Sequence, residues 1–166
     1  NMENHKLGKL INQTVKAHED QARLRNISLN VQLEEDIDIV VDASAFSIIL
    51  SNFVTNALKH SPSNSEILIK NDLEDDFLTT LSVIDHGKGI PKKYRDRVFE
   101  RFFRVDKGRA KHSGGTGLGL AISKHLARLM GYEVGMKPNK PNGSRFWISV
   151  NYASSEEEKS LTPELA

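Results

Sequence analysis

Asn52, Asn56 and Lys59 stand at i, i+4 and i+7 of the stretch "SNFVTNALKHS". At about 100° per residue they form one narrow polar stripe along a helix. Asparagine is a middling helix former, so two at this spacing are not there for propensity. A carboxamide oxygen is a hard, neutral ligand suited to Mg²⁺, which takes few protein ligands and completes its shell with phosphate and water oxygens. Lys59, one turn further on, could neutralise a phosphate. A solvated polar face is the plainer reading of the stripe on its own.

A second group lies in "VIDHGKGIP", where Asp85 ends an apolar strand and Gly87 and Gly89 follow. An ionised carboxylate only accepts hydrogen bonds. Aimed at the six-position of a purine, it accepts from an adenine amino group and is repelled by a guanine carbonyl. An ordinary strand-to-helix turn has the same letters. A third group, "HSGGTGLGLAIS", places four glycines in six positions before a helical pattern. It matches neither a P-loop nor a dinucleotide fingerprint. A glycine turn whose free N–H groups and helix dipole point at an anion accounts for it, and so does a flexible linker. Between them, "VFERFFRVD" sets Phe99, Phe102 and Phe103 ahead of "DKGRAKHSGG", which has almost no apolar residues. Anchored aromatics before a mobile segment suit a lid hinge, although core packing is their commoner use. Arg104, Lys107, Arg109 and Lys111 would place positive charge near a polyphosphate, unless they are simply solvated.

The elements that carry these groups can be read in order. Apolar residues at helical spacing run from Leu7 to Arg25. "SLNVQL" and "IDIVV" read as strands. Asp42 caps a helix over Ala43–His60, with Val41 and Phe46 as its hydrophobic staple. "EILIKN" and "FLTTLSVID" read as a hairpin around "DLEDD". A short helix begins at Pro91, and another runs from Gly117 to Met130 with Gly131 as its stop. "YEVGMK" and "RFWISVNY" complete the strands, joined by the turn-rich "PNKPNG". This order predicts a two-layer α/β (α+β) sandwich with one mixed sheet and helices on one face. Residues 1–153 are expected to form one domain. Residues 154–166, "SSEEEKSLTPELA", are expected to be a polar, disordered tail.

Composition narrows the partners. The 166 residues carry 23 Lys and Arg against 22 Asp and Glu, with no long basic run, which argues against nucleic acid. With no cysteine, disulfides and thiolate metal sites are excluded and a reducing compartment is the natural home. No stretch approaches the roughly 20 apolar residues of a membrane span, so membrane contact by this domain is not expected. The chain starts in mid-pattern at Asn1, as an excised piece of a larger protein would.

Together and in this order, the segments resemble the ATP-binding catalytic domain of bacterial two-component sensor histidine kinases. That domain belongs to the superfamily shared with gyrase, the heat-shock chaperone and mismatch-repair ATPases. "NFVTNALKHS" resembles the asparagine box, "DHGKGI" the first glycine box, "VFERFFRVD" the phenylalanine box and "GGTGLGLAI" the second glycine box. The likeness covers about Leu7 to Tyr152. It implies a five-stranded mixed sheet under three helices with a mobile ATP lid, and Mg²⁺ and ATP as bound species. By this resemblance Asn56 is the main Mg²⁺ ligand, with Asn52 supporting metal or phosphate. Lys59 and His60 line the phosphate and ribose side, and Asp85 reads adenine in a pocket shaped by Gly87, Gly89 and Ile90. Phe99, Phe103 and Arg104 flank the nucleotide, Arg104 and Asn56 supporting transfer. Gly115, Thr116, Gly117, Leu118, Gly119 and Leu120 form the far end of the lid.

The resemblance also implies a reaction that this chain cannot complete alone. Such kinases pass the γ-phosphate to a histidine on a dimerising helical domain, within an H-[ED]-x-x-[TN]-P pattern. His18 and Glu19 open that pattern, but no Thr-Pro or Asn-Pro follows at the right distance. The acceptor is therefore expected on the parent's own dimerisation domain, with a response regulator downstream in a phosphorelay. His5, His86, His112 and His125 fit no metal-ligand spacing. The implied setting is cytoplasmic, beneath a parent anchored in the inner membrane, and the fragment is expected to be monomeric. Two alternatives stand beside it: a clamping ATPase driven by nucleotide-dependent dimerisation, and a degenerate interaction module that has lost nucleotide.

Overall fold

The strands alternate with period two, and the alternation fixes which face of the sheet meets the helices. A computed structural model describes residues 1–105 and 117–153. In chain order the elements are β1 (Glu3–Lys6), α1 (Leu7–Leu24), β2 (Ser28–Gln32), β3 (Asp38–Val41) and α2 (Ala43–His60). They continue with β4 (Glu66–Leu73), β5 (Leu78–Ile84), a single 3₁₀ turn (Lys92–Tyr94), α3 (Gly119–Leu129), β6 (Glu133–Pro138) and β7 (Ser144–Ala153). The sheet runs β1-β3-β7-β5-β4-β2, with β6 also paired to β7. It is mixed because β2 and β4 are parallel while the other pairs are antiparallel.

Ile67 and Ile69 of β4, Leu81 and Val83 of β5, and Phe146, Ile148 and Val150 of β7 are all buried. They share one core with Phe46, Ile49, Leu50 and Phe53 of α2, which packs against both α1 and α3. Phe53 and Phe146 meet with ring centroids 5.8 Å apart across the two layers. On the opposite face of the same strands several polar residues bond to one another. Arg145 donates to Ser82 Oγ (2.8 Å) and Asp72 Oδ2 (2.6 Å), and Thr80 Oγ1 lies 2.9 Å from Ser149 Oγ.

Helix ends follow the expected chemistry. The Asp42 carboxylate accepts from Ala45 N–H at 2.9 Å, and Val41 and Phe46 beside it are fully buried. Arg25, just past α1, donates to the carbonyls of Leu58 and Ser61 and so closes the C-terminal end of α2. Past α3, Gly131 N–H donates to Arg128 O and Tyr132 N–H to Ala127 O, which satisfies the last carbonyls of the helix.

The differences from expectation are local. The sheet has seven strands, against five implied by the resemblance and six read from the pattern. The additional strand is β1, whose "ENHK" has no apolar alternation. It is defined by antiparallel pairing with β3, where Lys6 faces Asp38 and makes a 3.2 Å ion pair. The helix after Pro91 shrinks to one 3₁₀ turn, and α3 begins at Gly119 rather than Gly117. The expected lid at 106–116 and tail at 154–166 lie outside the described residues.

Candidate functional site

The two asparagines of the α2 stripe do different things. Asn52 Nδ2 donates to the carbonyl of Gly119 at 2.9 Å and to Ser123 Oγ at 3.1 Å, fastening α2 to the first turn of α3. The carboxamide of Asn56, half-buried one turn later, makes no hydrogen bond among the described residues. Lys59 and His60 follow on the exposed end of the helix. A carboxamide with no partner among the described residues, next to a lysine, fits a metal ion that also takes phosphate oxygens. Among the described residues no cluster of three His, Cys, Asp or Glu gathers to hold a metal on protein ligands alone.

Asp85, at the end of β5, is 1% exposed. Its Oδ1 accepts from Gly87 N–H at 2.9 Å and from Ser144 N–H at 3.2 Å. Both bonds fall on one oxygen, and Oδ2 has no partner among the described residues. Burial pushes the carboxyl above its ordinary range, while the two N–H groups and then His60 and His86 pull the other way. Gly87 is fixed by a close approach: a Cβ there would stand 2.3 Å from the carbonyl oxygen of His60. The end of α2 and the loop after β5 are therefore pressed together. Ile90, further along that loop, packs on the core.

The start of α3 has no side-chain cap, and its helix bonds begin with Ile122 N–H to Leu118 O. Among the described residues, the N–H groups of that first turn remain available to an anion. Just before it, Gly117 takes φ +72 and its carbonyl accepts from Phe102 N–H at 2.8 Å. A Cβ on Gly117 would lie 2.9 Å from the Phe102 Cα, so the two chain segments touch backbone to backbone. Leu118 is half-buried, and Leu120 packs on the core.

The expected aromatic residues have contacts of their own. Phe99 turns inward, 6.1 Å from Phe146 edge to face. Phe103 stacks against Tyr94 at 5.6 Å and lies under the Arg97 guanidinium at 4.6 Å. The phenylalanine segment thus anchors its own loop, with Arg104 half-buried at its end. Gly115 and Thr116, with Lys107, Arg109 and Lys111, lie outside the described residues. His18 is spent on α2, its Nε2 2.9 Å from Ser51 Oγ. A groove of about 550 Å³ between α1 and β2 holds none of the expected residues.

Sequence reasoning missed the contribution of the β6–β7 turn. Ser144 binds Asp85 twice, donating its N–H to the carboxylate and accepting Asp85 N–H on its carbonyl at 2.9 Å. Asn139 Nδ2 donates to the Asp85 carbonyl at 3.0 Å. "PNKPNG" signalled a turn, but nothing in it names Asp85 as its neighbour; the β5–β7 register does, by pairing Ile84 with Arg145.

Comparison with known proteins agrees with this arrangement. The profile of the histidine kinase-, DNA gyrase B- and HSP90-like ATPase family matches residues 41–154. The sensor histidine kinase WalK of Bacillus subtilis is 36% identical over 126 residues, which is 75% of this chain and 21% of WalK. The sensor-like histidine kinase SenX3 of Mycolicibacterium smegmatis is 33% identical over 141 residues, 85% of this chain and 36% of SenX3. The chain thus spans only about a fifth to a third of these relatives. Among solved structures, the mycobacterial sensor histidine kinase MprB superposes with a TM-score of 0.79 at 26% identity, covering 93% of this chain and 99% of that one. Full-length ShkA in complex with AMPPNP superposes with a TM-score of 0.80 at 27% identity, covering 93% of this chain and 32% of ShkA. With the family profile matched across α2, Asp85 and the start of α3, the chain belongs to the histidine kinase-, DNA gyrase B- and HSP90-like ATPase family, as an ATP-binding domain of the sensor histidine kinase type.

Proposed function

We propose that this domain binds Mg-ATP and presents the γ-phosphate to a histidine on a separate dimerisation domain of its parent protein. The observation that carries the reading is Asp85: a buried carboxylate with Oδ1 held by two backbone N–H groups and Oδ2 left over. An acceptor fixed in this way suits an adenine amino group and opposes a guanine carbonyl. In this reading Gly87, Gly89 and Ile90 shape the base pocket, and the first turn of α3 receives the phosphates through its N–H groups. Lys59, His60 and Arg104 line the polyphosphate, with Gly115, Thr116, Gly117, Leu118, Gly119 and Leu120 beyond it.

Asn56 is the residue that would hold Mg²⁺, and a carboxamide that makes no hydrogen bond among the described residues supports this. Asn52 serves the site through α3, and its Oδ1 remains to support the metal shell or a phosphate. When bound, Mg²⁺ neutralises charge on the phosphate oxygens. Phosphoryl transfer asks a protein mainly for positioning and charge neutralisation. The residues of this chain supply these for the donor: Asp85 sets the depth of the base, and the α3 end fixes the phosphates. The nucleotide analogue in ShkA and the sensor kinases among the relatives support the reading. A response regulator downstream and a cytoplasmic setting follow from the same kinship. No helix among the described residues is long and apolar enough to cross a membrane.

The test is calorimetric titration with ATP, ADP and GTP, with and without Mg²⁺. Labelled ATP is then supplied together with a helical domain bearing the acceptor histidine. Adenine-selective, Mg²⁺-dependent binding followed by label on that histidine is expected. A folded chain that binds no nucleotide would instead be an interaction module. ATP-dependent dimerisation with hydrolysis but no labelled histidine would point to a clamp.

A further inference from the structure

We propose that Asn139, in the turn between β6 and β7, is a positioning residue that sets the base-reading carboxylate of Asp85. The proposal rests on the reading of Asp85 as the adenine acceptor. Its starting point is that the turn grips the residue from the backbone side. Asn139 Nδ2 donates to the Asp85 carbonyl at 3.0 Å, lies 3.4 Å from His86 Nδ1, and reaches the Asn142 carbonyl at 3.4 Å. Its own N–H donates to the Gly143 carbonyl at 3.0 Å, which closes the turn.

Gly143 fits into the same contact. It takes φ +118, and a Cβ there would stand 1.9 Å from the Asp85 carbonyl oxygen and 3.0 Å from His86 Cα. The turn therefore lies directly on the peptide between residues 85 and 86. The next residue, Ser144, bonds the Asp85 carboxylate through its N–H. One short segment thus holds both the carbonyl and the carboxylate of Asp85.

The physical consequence concerns orientation. Asp85 follows Ile84, the last residue of β5, with its N–H still bonded to the Ser144 carbonyl, and enters a loop containing two glycines, so its carbonyl side is not held by strand pairing. The Asn139 bond supplies the missing restraint. Without it the Asp85 carbonyl loses a donor, the peptide can rotate, and Oδ2 loses its fixed aim. A hydrogen bond to a base tolerates little misalignment. The loss falls on adenine, whose recognition depends on Oδ2, more than on guanine, which has no bond there to lose.

The experiment measures dissociation constants for Mg-ATP and Mg-GTP by calorimetry on the whole chain. The proteins are wild type, Asn139→Ala, Asn139→Asp, Asp85→Asn and the double variant Asp85→Asn/Asn139→Ala. Asn139 is half-exposed in a turn, and Asn139→Asp keeps its shape while removing the donor. Folding is checked by the fluorescence of Trp147, the only tryptophan. Each single Asn139 variant is expected to weaken ATP about threefold to tenfold, the range for losing one neutral hydrogen bond, and to leave GTP nearly unchanged. Because Asn139 acts through Asp85, the double variant is expected to have the same ATP-to-GTP ratio as Asp85→Asn alone.

Three results overturn the proposal. Equal weakening of ATP and GTP in the Asn139 variants would make the residue purely structural. Additive losses of selectivity in the double variant would show that Asn139 acts independently of Asp85. A wild-type ratio in both Asn139 variants, with the ratio collapsed in Asp85→Asn, would leave the base-reading role standing and remove Asn139 from it. An unchanged ratio in Asp85→Asn itself would instead remove the reading on which the proposal rests.

Discussion

Replacing Asp85 by asparagine separates function from stability, because the two should move in opposite directions. The variant keeps an oxygen that can accept from Gly87 and Ser144, as Oδ1 does now. In place of Oδ2 it puts an NH₂ group, a donor facing the adenine amino donor. A hydrogen bond to a charged group contributes about 1.5–3 kcal/mol, so losing it should weaken ATP about ten- to hundredfold. The same NH₂ can donate to a guanine carbonyl, so GTP should hold or gain. Stability should rise, since wild type buries an ionised carboxylate that is 1% exposed and the variant buries a neutral amide.

The pH dependence follows from the direction of the Asp85 shift. Burial raises its folded-state value above the ordinary 3.8. The folded protein therefore holds that proton more tightly than the unfolded chain. The stability this group contributes is fully present below pH 3.8 and is lost as pH rises through the folded value. The asparagine variant does not titrate there. Its thermal-unfolding advantage should therefore open across that window and stay constant above it. Calorimetric titration with ATP and GTP, beside melting curves over the same pH range, measures both effects. An ATP affinity within about twofold of wild type, or a variant that melts lower than wild type at neutral pH, would refute the reasoning.

The other predictions concern residues near the same site. Asn56→Ala should abolish the Mg²⁺ dependence of ATP binding and leave the melting temperature unchanged, because its carboxamide has no hydrogen bond to lose among the described residues. Asn52→Ala, by contrast, should lower stability by about 1–2 kcal/mol through two lost hydrogen bonds, with faster amide exchange in the first turn of α3. Gly87→Ala should destabilise the fold by about 1–3 kcal/mol and weaken ATP, since its methyl would drive the loop off the His60 carbonyl; denaturant unfolding and titration check it. Arg25→Ala should cost about 1–3 kcal/mol by leaving the Leu58 and Ser61 carbonyls without their charged donor, read as a lower urea midpoint.

The sequence alone determined whatever depends on neighbours in the chain. Helical spacing picked out the buried face of α2, and Asp42 with Val41 and Phe46 marked its start, because a cap and staple act within one turn. The four boxes, in order, named the family through residue types and spacings. Tertiary structure decided everything that depends on which distant segments meet. Strand β1 exists through its pairing with β3, not through any pattern of its own. Asn52 and Asn56 are one amino acid on one stripe, and only the approach of α3 makes the first a fastener and leaves the second open. Phe99 and Phe103 share a motif but fall to the core and to a local stack with Tyr94, a division set by where β7 lies. Asp85 was legible as a chemical group, whereas its grip by Ser144 and Asn139 was not. Those residues stand more than 50 positions away, and only the β5–β7 register brings them within hydrogen-bond distance.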